Sequence, residues 1–110
     1  MTSKKKIEQI QDAISRIEMF CSDANEMIFC NDLKLNSAAL LHFVITGEAV
    51  TNVDNEILTR NNYAWYKIKS FRSLIALQYH KIIMKKVWGI ITNELPELKK
   101  VIQSILKNEF

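Results

Sequence analysis

The stretch Ile7-Glu8-Gln9-Ile10-Gln11-Asp12-Ala13-Ile14-Ser15-Arg16-Ile17-Glu18-Met19-Phe20 decides the fold class. Ile7, Ile10, Ile14, Ile17 and Phe20 recur at steps of three and four, which places them on one face of a helix. Glu8, Gln9, Gln11, Asp12, Ser15, Arg16 and Glu18 take the opposite face. Such a stripe must be covered by other helices. Ser3 is the expected N-cap, and Ser22-Asp23 is expected to cap a second piece holding Met27, Ile28 and Phe29. Asn31-Asp32 reads as a turn, and Asn36-Ser37 as the cap of the next helix.

From Ala38 to about Val53 the pattern is apolar on more than one side: Ala38, Leu41, Ile45 and Ala49 on one stripe, Leu40, Phe43, Val44, Gly47 and Val50 on another. A helix of that kind is central to a bundle or shared with a partner. Gly47 inside it costs about 1 kcal/mol relative to alanine, so close helix approach is its expected purpose. A third long helix is expected from about Ala64 to Tyr79, with Trp65, Ile68, Phe71, Ile75 and Ala76 buried. A last helical region starts near Ile82. Pro96 suits the first turn of a new helix carrying Leu98, Val101, Ile102, Ile105 and Leu106.

Composition agrees with this reading. The 110 residues are 48% apolar and 25% charged, with two glycines and one proline, which is too little turn chemistry for a sandwich, a barrel or a glycine-rich phosphate loop. The expectation is one all-α domain over residues 1–110, an antiparallel bundle of four to five helices. No apolar run approaches the roughly 18 residues needed to span a bilayer. No signal peptide is visible, and Cys21 and Cys30 fit no metal-binding spacing, so free thiols and a cytoplasmic location are expected.

Charge is unevenly spread. Between Ile57 and Asn93 there is no acid, and seven bases (Arg60, Lys67, Lys69, Arg72, Lys81, Lys85, Lys86) make that segment +7, while the rest of the chain is −4 because eight bases face twelve acids. Phosphate backbones are the usual partner of such a region. The alternative is a solvated face balanced by acids elsewhere in the fold. His42 and His80 do not share a helix face with a second ligand, and no metal or cofactor is expected.

Within the basic segment, Phe71-Arg72-Ser73-Leu74-Ile75-Ala76-Leu77-Gln78-Tyr79-His80 puts a guanidinium among apolar residues. Seven residues separate Arg72 from Tyr79, so on a continuous helix they share a stripe about 10 Å apart. An arginine so placed needs an anion: either Glu48, the only acid in the apolar second helix, or a ligand phosphate.

Ile45-Thr46-Gly47-Glu48-Ala49, Tyr63-Ala64-Trp65, Phe71-Arg72-Ser73-Leu74, Val87-Trp88 and Glu94-Leu95-Pro96-Glu97-Leu98 together resemble the HepT-like branch of the HEPN superfamily. The resemblance covers nearly the whole chain. It implies a homodimeric helical bundle, the toxin of a HepT/MNT toxin–antitoxin pair, that cuts RNA without metal and is silenced when a partner nucleotidyltransferase adenylylates a tyrosine. The family motif is Arg, four residues, His, one residue, Tyr. Arg72 takes the Arg place and would steady the scissile phosphate. Tyr79 takes the Tyr place and would be the adenylylated side chain. Leu77 occupies the His place, Ser73 stands where Asn is common, and Glu48 matches the acid of the Gly-Glu-Ala element. Leucine cannot move a proton, so cleavage is expected to be weak or lost unless His80 substitutes. Lys67, Lys69 and Lys81 are the expected phosphate contacts. The alternative is a non-catalytic subunit that only presents Tyr79 to the nucleotidyltransferase.

Overall fold

The computed structural model describes residues 2–110. Among them are seven α-helices and no strand: α1 (Ser3–Cys21), α2 (Glu26–Asn31), α3 (Leu33–Thr51), α4 (Asn55–Arg60), α5 (Trp65–Gln78), α6 (Met84–Gly89) and α7 (Leu95–Asn108). The four longest, α1, α3, α5 and α7, form the bundle; the short ones sit in the connections. No described helix is long and apolar enough to cross a membrane.

The isoleucine stripe of α1 lies where its spacing puts it: Ile7, Ile10, Ile14 and Ile17 are buried. They meet Leu40 and Val50 of α3 and Ile102 and Ile105 of α7 in one core. Contacts at the helix ends fix the antiparallel order. Ser3 Oγ at the start of α1 accepts from the Asp54 amide just beyond α3. Lys99 in α7 pairs with Glu18 near the end of α1 at 3.0 Å.

Several expected boundaries move. Ser3 does not cap α1; the Thr2 hydroxyl does, accepting from the Lys5 amide. Asn25, not Ser22-Asp23, caps α2. Asp32 caps α3, which therefore starts before Asn36 and Ser37. Asn36 is instead a buried residue inside the helix, its Nδ2 donating to the Phe29 carbonyl. A polar side chain that can cap has competing partners: Ser3 bonds the Asp54 amide and Asn36 the Phe29 carbonyl, both from other segments, while Ser22 bonds back to the Met19 carbonyl of its own helix.

On α5, Trp65 and Ile75 are buried, Ile68 and Phe71 are half-buried, and Ala76 is exposed. The helix stops at Gln78, whose φ of −139° and ψ of 42° leave the helical region. Tyr79–Lys81 follow as a 3₁₀ turn.

Pro96 lies in the first turn of α7, as its chemistry favours. The helix does not restart there, however. Ile90–Glu94 form a π-helical segment joining α6 to α7, and the Leu95 amide bonds back five residues to the Ile90 carbonyl. Proline has no N–H to give Thr92, and its ring crowds that carbonyl; a wider turn relieves both problems without breaking the helix.

Candidate active site and its surroundings

Gly47 is buried against Arg72: a β-carbon at Gly47 would stand 2.5 Å from Arg72 Cβ. The expected close approach of α3 and α5 is therefore real, and the arginine's aliphatic stem is what it admits. Arg72 Nε is sealed from solvent without a hydrogen-bond partner. No acid among the described residues pairs with its guanidinium.

The expected Arg72–Glu48 pair does not form. Glu48 follows Gly47 by one residue, about 100° around α3, so when Gly47 faces α5 the carboxylate turns toward α1. There it is exposed and lines a groove with Lys5, Lys6, Glu8 and Asp12.

Arg72 and Tyr79 do not share the expected stripe, because α5 ends between them. The turn at Gln78 sends the Tyr79 hydroxyl back to α3, 3.3 Å from Ser37 Oγ. Both side chains still contact α3, one beside Gly47 and one beside Ser37. Tyr79 is 46% exposed, so its hydroxyl is within reach of another molecule. No sequence signal marks Ser37 as its partner, since the pairing spans 42 residues.

Leu77 is 80% exposed. Five residues from Arg72, it stands about 140° around the helix, so within one copy the two positions face apart. His80 is exposed in the 3₁₀ turn and bonds neither Arg72 nor Tyr79. Ser73 is exposed, its hydroxyl donating to the Lys69 carbonyl. His42 is structural, with Nδ1 2.8 Å from the Ala38 carbonyl and its ring edge-on to Phe20. Among the described residues no cluster of three or more His, Cys, Asp or Glu side chains forms a metal site.

Of the seven bases in the acid-free segment, one is balanced within the fold. Arg60 pairs with Glu109 at 2.7 Å, and that bond, with a second from Asn61, holds the Glu109 carboxyl below its ordinary range. Lys67, Lys69, Arg72, Lys81, Lys85 and Lys86 enter no ion pair among the described residues. Six of the seven bases, spread over α5, the 3₁₀ turn and α6, are thus not neutralised by ion pairs among the described residues.

A second concavity escaped the sequence reading. It holds about 420 Å³ between α5 and α7. Phe43 and Thr46 of α3 floor it, Phe71 and Leu74 form one wall, and Leu95 and Leu98 the other. Tyr63, Lys67 and Glu94 stand at its rim. Burial, then Glu94 and Glu97, push the Tyr63 hydroxyl above its ordinary pKa.

A four-helix bundle with a pinned, anion-seeking arginine and a tyrosine just beyond the end of the helix that carries it defines a class, and the comparisons agree with it. The profile described as "Ribonuclease HepT-like" matches residues 10–105. The chain belongs to the HepT-like ribonuclease family. It is 30% identical over 82 residues to "Putative RNase TTE0752" of Caldanaerobacter subterraneus subsp. tengcongensis, covering 74% of this chain and 73% of that protein. It is 25% identical over 105 residues to "Probable ribonuclease HepT" of Thermococcus cleftensis, covering 94% and 96% respectively. No solved structure matches the chain.

Proposed function

We propose that this chain is a HepT-like toxin of a toxin–antitoxin pair, working in the cytoplasm as a two-fold dimer whose site grips an RNA phosphate through Arg72. The observation that carries this is the pinned, unpaired guanidinium. Its stem is fixed against Gly47, so little side-chain freedom remains to be lost when an anion binds. Lys67, Lys69 and Lys81 extend the phosphate surface. Arg72 steadies the scissile phosphodiester, and proton transfer falls to side chains rather than to a metal. Leu77 leaves that role empty, so cleavage is weak or lost.

A second copy is part of the proposal for a geometric reason. Positions 72 and 77 diverge on one helix, so a composite site needs another chain's α5. The outer face of α5 suits one: Tyr66, Ser70, Ser73 and Leu77 form an uncovered stripe. The midpoint between Ser70 and Ser73 is also the midpoint between Tyr66 and Leu77. A two-fold axis there pairs large ends with large ends and lets small residues meet at the centre. The purified chain is expected to scatter light as a dimer at micromolar concentration and to bind single-stranded RNA with strong salt dependence. Arg72→Ala should weaken that binding about tenfold or more. A monomer, or binding indifferent to salt and to Arg72, would sink the reading.

A second reading, that the chain serves as the substrate of its nucleotidyltransferase, is favoured by the accessible hydroxyl of Tyr79. Incubation with ATP and that enzyme should raise the chain's mass by adenylyl units, and Tyr79→Phe should abolish the rise. A mass that stays constant with a demonstrably active enzyme would exclude it.

A further inference from the structure

The cavity between α5 and α7 exists because these two helices do not pack closely: α7 lies on α1, and α5 on α3. One wall is the π-helical segment, which widens the backbone at Ile90 and Glu94. π-Helical turns are often found at functional sites. At about 420 Å³ the space falls in the roughly 300–1,000 Å³ range of small-molecule and cofactor sites, and its walls are mainly apolar as theirs are. Phe43 and Phe71 meet edge to face on its inner side, with ring centres 5.1 Å apart.

The rim carries the information. Glu94 forms no ion pair among the described residues, and although it immediately precedes α7 it makes no capping hydrogen bond. Glu97, in the first turn, is the acid placed to serve the helix dipole. Lys67, across the cavity mouth on α5, is likewise unpaired, and the Tyr63 hydroxyl has no hydrogen-bond partner among the described residues. A carboxylate beside Lys67 in a cavity next to a proposed phosphate-binding segment is an anomaly, because it repels the ligand's backbone. It becomes favourable only if it accepts hydrogen bonds from a neutral part of the same ligand.

Resting on the RNA reading above, we propose that this cavity receives one unstacked guanine base of the RNA strand. An ionised carboxylate only accepts. Guanine alone among the four bases offers two adjacent donors, N1–H and N2–H, on its Watson–Crick edge, so it alone can engage both Glu94 oxygens. Its O6 acceptor then stands on the side where a lysine ammonium can donate, a pairing used widely for this atom. The apolar walls and aromatic floor take the ring, as protein sites for unpaired RNA bases commonly do. Arg72, on the neighbouring face of α5, is free to hold the backbone.

The test measures binding rather than cleavage. Fluorescence anisotropy on the full chain at fixed ionic strength compares uridine hexamers carrying one central G, A or C with the all-U hexamer. The G-containing strand should bind about tenfold or more tightly. Glu94→Gln, which keeps the side chain's shape, should erase that preference while leaving all-U affinity unchanged or slightly raised. Arg72→Ala should weaken all four strands alike. Methyl NMR with guanosine 5′-monophosphate supplies an independent arm, shifting Ile90, Leu95 and Leu98 in the parent and not in Glu94→Gln. Four strands of equal affinity would overturn the base pocket and leave the RNA reading standing. Guanosine monophosphate binding in the groove as tightly as the G-containing strand would overturn the strand as occupant in favour of a free nucleotide. If no strand binds and the mononucleotide shifts nothing, both readings fall.

Discussion

Replacing Leu77 with histidine is expected to raise RNA cleavage by about 10²- to 10⁴-fold over the parent chain, the usual worth of a positioned general acid or base. Leu77 is exposed within one copy and supports no part of the bundle core, so the substitution leaves the bundle's own packing intact. Light scattering checks that the proposed dimer seam, which Leu77 borders, survives it. Any gain then reports proton transfer rather than repair of the fold. Histidine's unperturbed pKa near 6.5 further requires the gained activity to depend on pH between about 5 and 8. The double variant Leu77→His/Arg72→Ala should return to the parent's rate, because the phosphate is no longer held. If Leu77→His cuts no faster while remaining folded and dimeric, the site is not a lapsed nuclease, and the substrate role of Tyr79 gains by default. His80 provides a control: His80→Ala should leave the activity of Leu77→His unaltered, since the 3₁₀ turn takes His80 off the helix that bears Arg72.

Two glycine-to-alanine substitutions should move stability in opposite directions. Both glycines lie in helical conformation, so helix propensity alone says that each change stabilises by about 1 kcal/mol. At Gly89, with φ −60° and ψ −40° and nothing within 4 Å of the new methyl, that gain should appear. At Gly47 the methyl meets Arg72 Cβ at 2.5 Å, and Cβ is anchored to the backbone, so α3 and α5 must part. Overpacking of this kind costs about 1–3 kcal/mol, and an outward shift of α5 also exposes core around Ile75 and Phe43. A net loss of about 1–2 kcal/mol is expected, and the two variants should differ by roughly 10 °C in thermal midpoint. Gly47→Ala should also weaken RNA binding, because it dislodges the stem that fixes the guanidinium. Equal midpoints for the two variants would mean that the helices yield without cost and that Arg72 is not pinned.

What could be read in advance follows a physical division. The stripe of α1 and the close approach at Gly47 were legible because periodicity and backbone permissiveness are properties of consecutive residues. Helix starts were less so: Thr2, Asn25 and Asp32 cap where Ser3, Ser22 and Asn36 were equally capable, and only packing separates them. The partner of Arg72 was misassigned to Glu48 because chemical need alone does not tell which side of α3 faces α5. The cavity rimmed by Tyr63 and Glu94 was invisible, since it arises where two helices fail to meet and no residue pattern encodes a gap.

The order of apolar and polar residues along this chain was enough to specify an all-helical bundle, a segment rich in bases and free of acids, and a lone arginine seeking an anion, for these depend on residue type and local spacing. Three further matters were settled only by the folded molecule. Glu48 turns away from Arg72, Tyr79 leaves its helix to meet Ser37, and α5 and α7 stand apart around a cavity lined in part by Tyr63, Lys67 and Glu94. Each depends on how residues remote in sequence are oriented toward one another, and that orientation comes from the packing of whole helices.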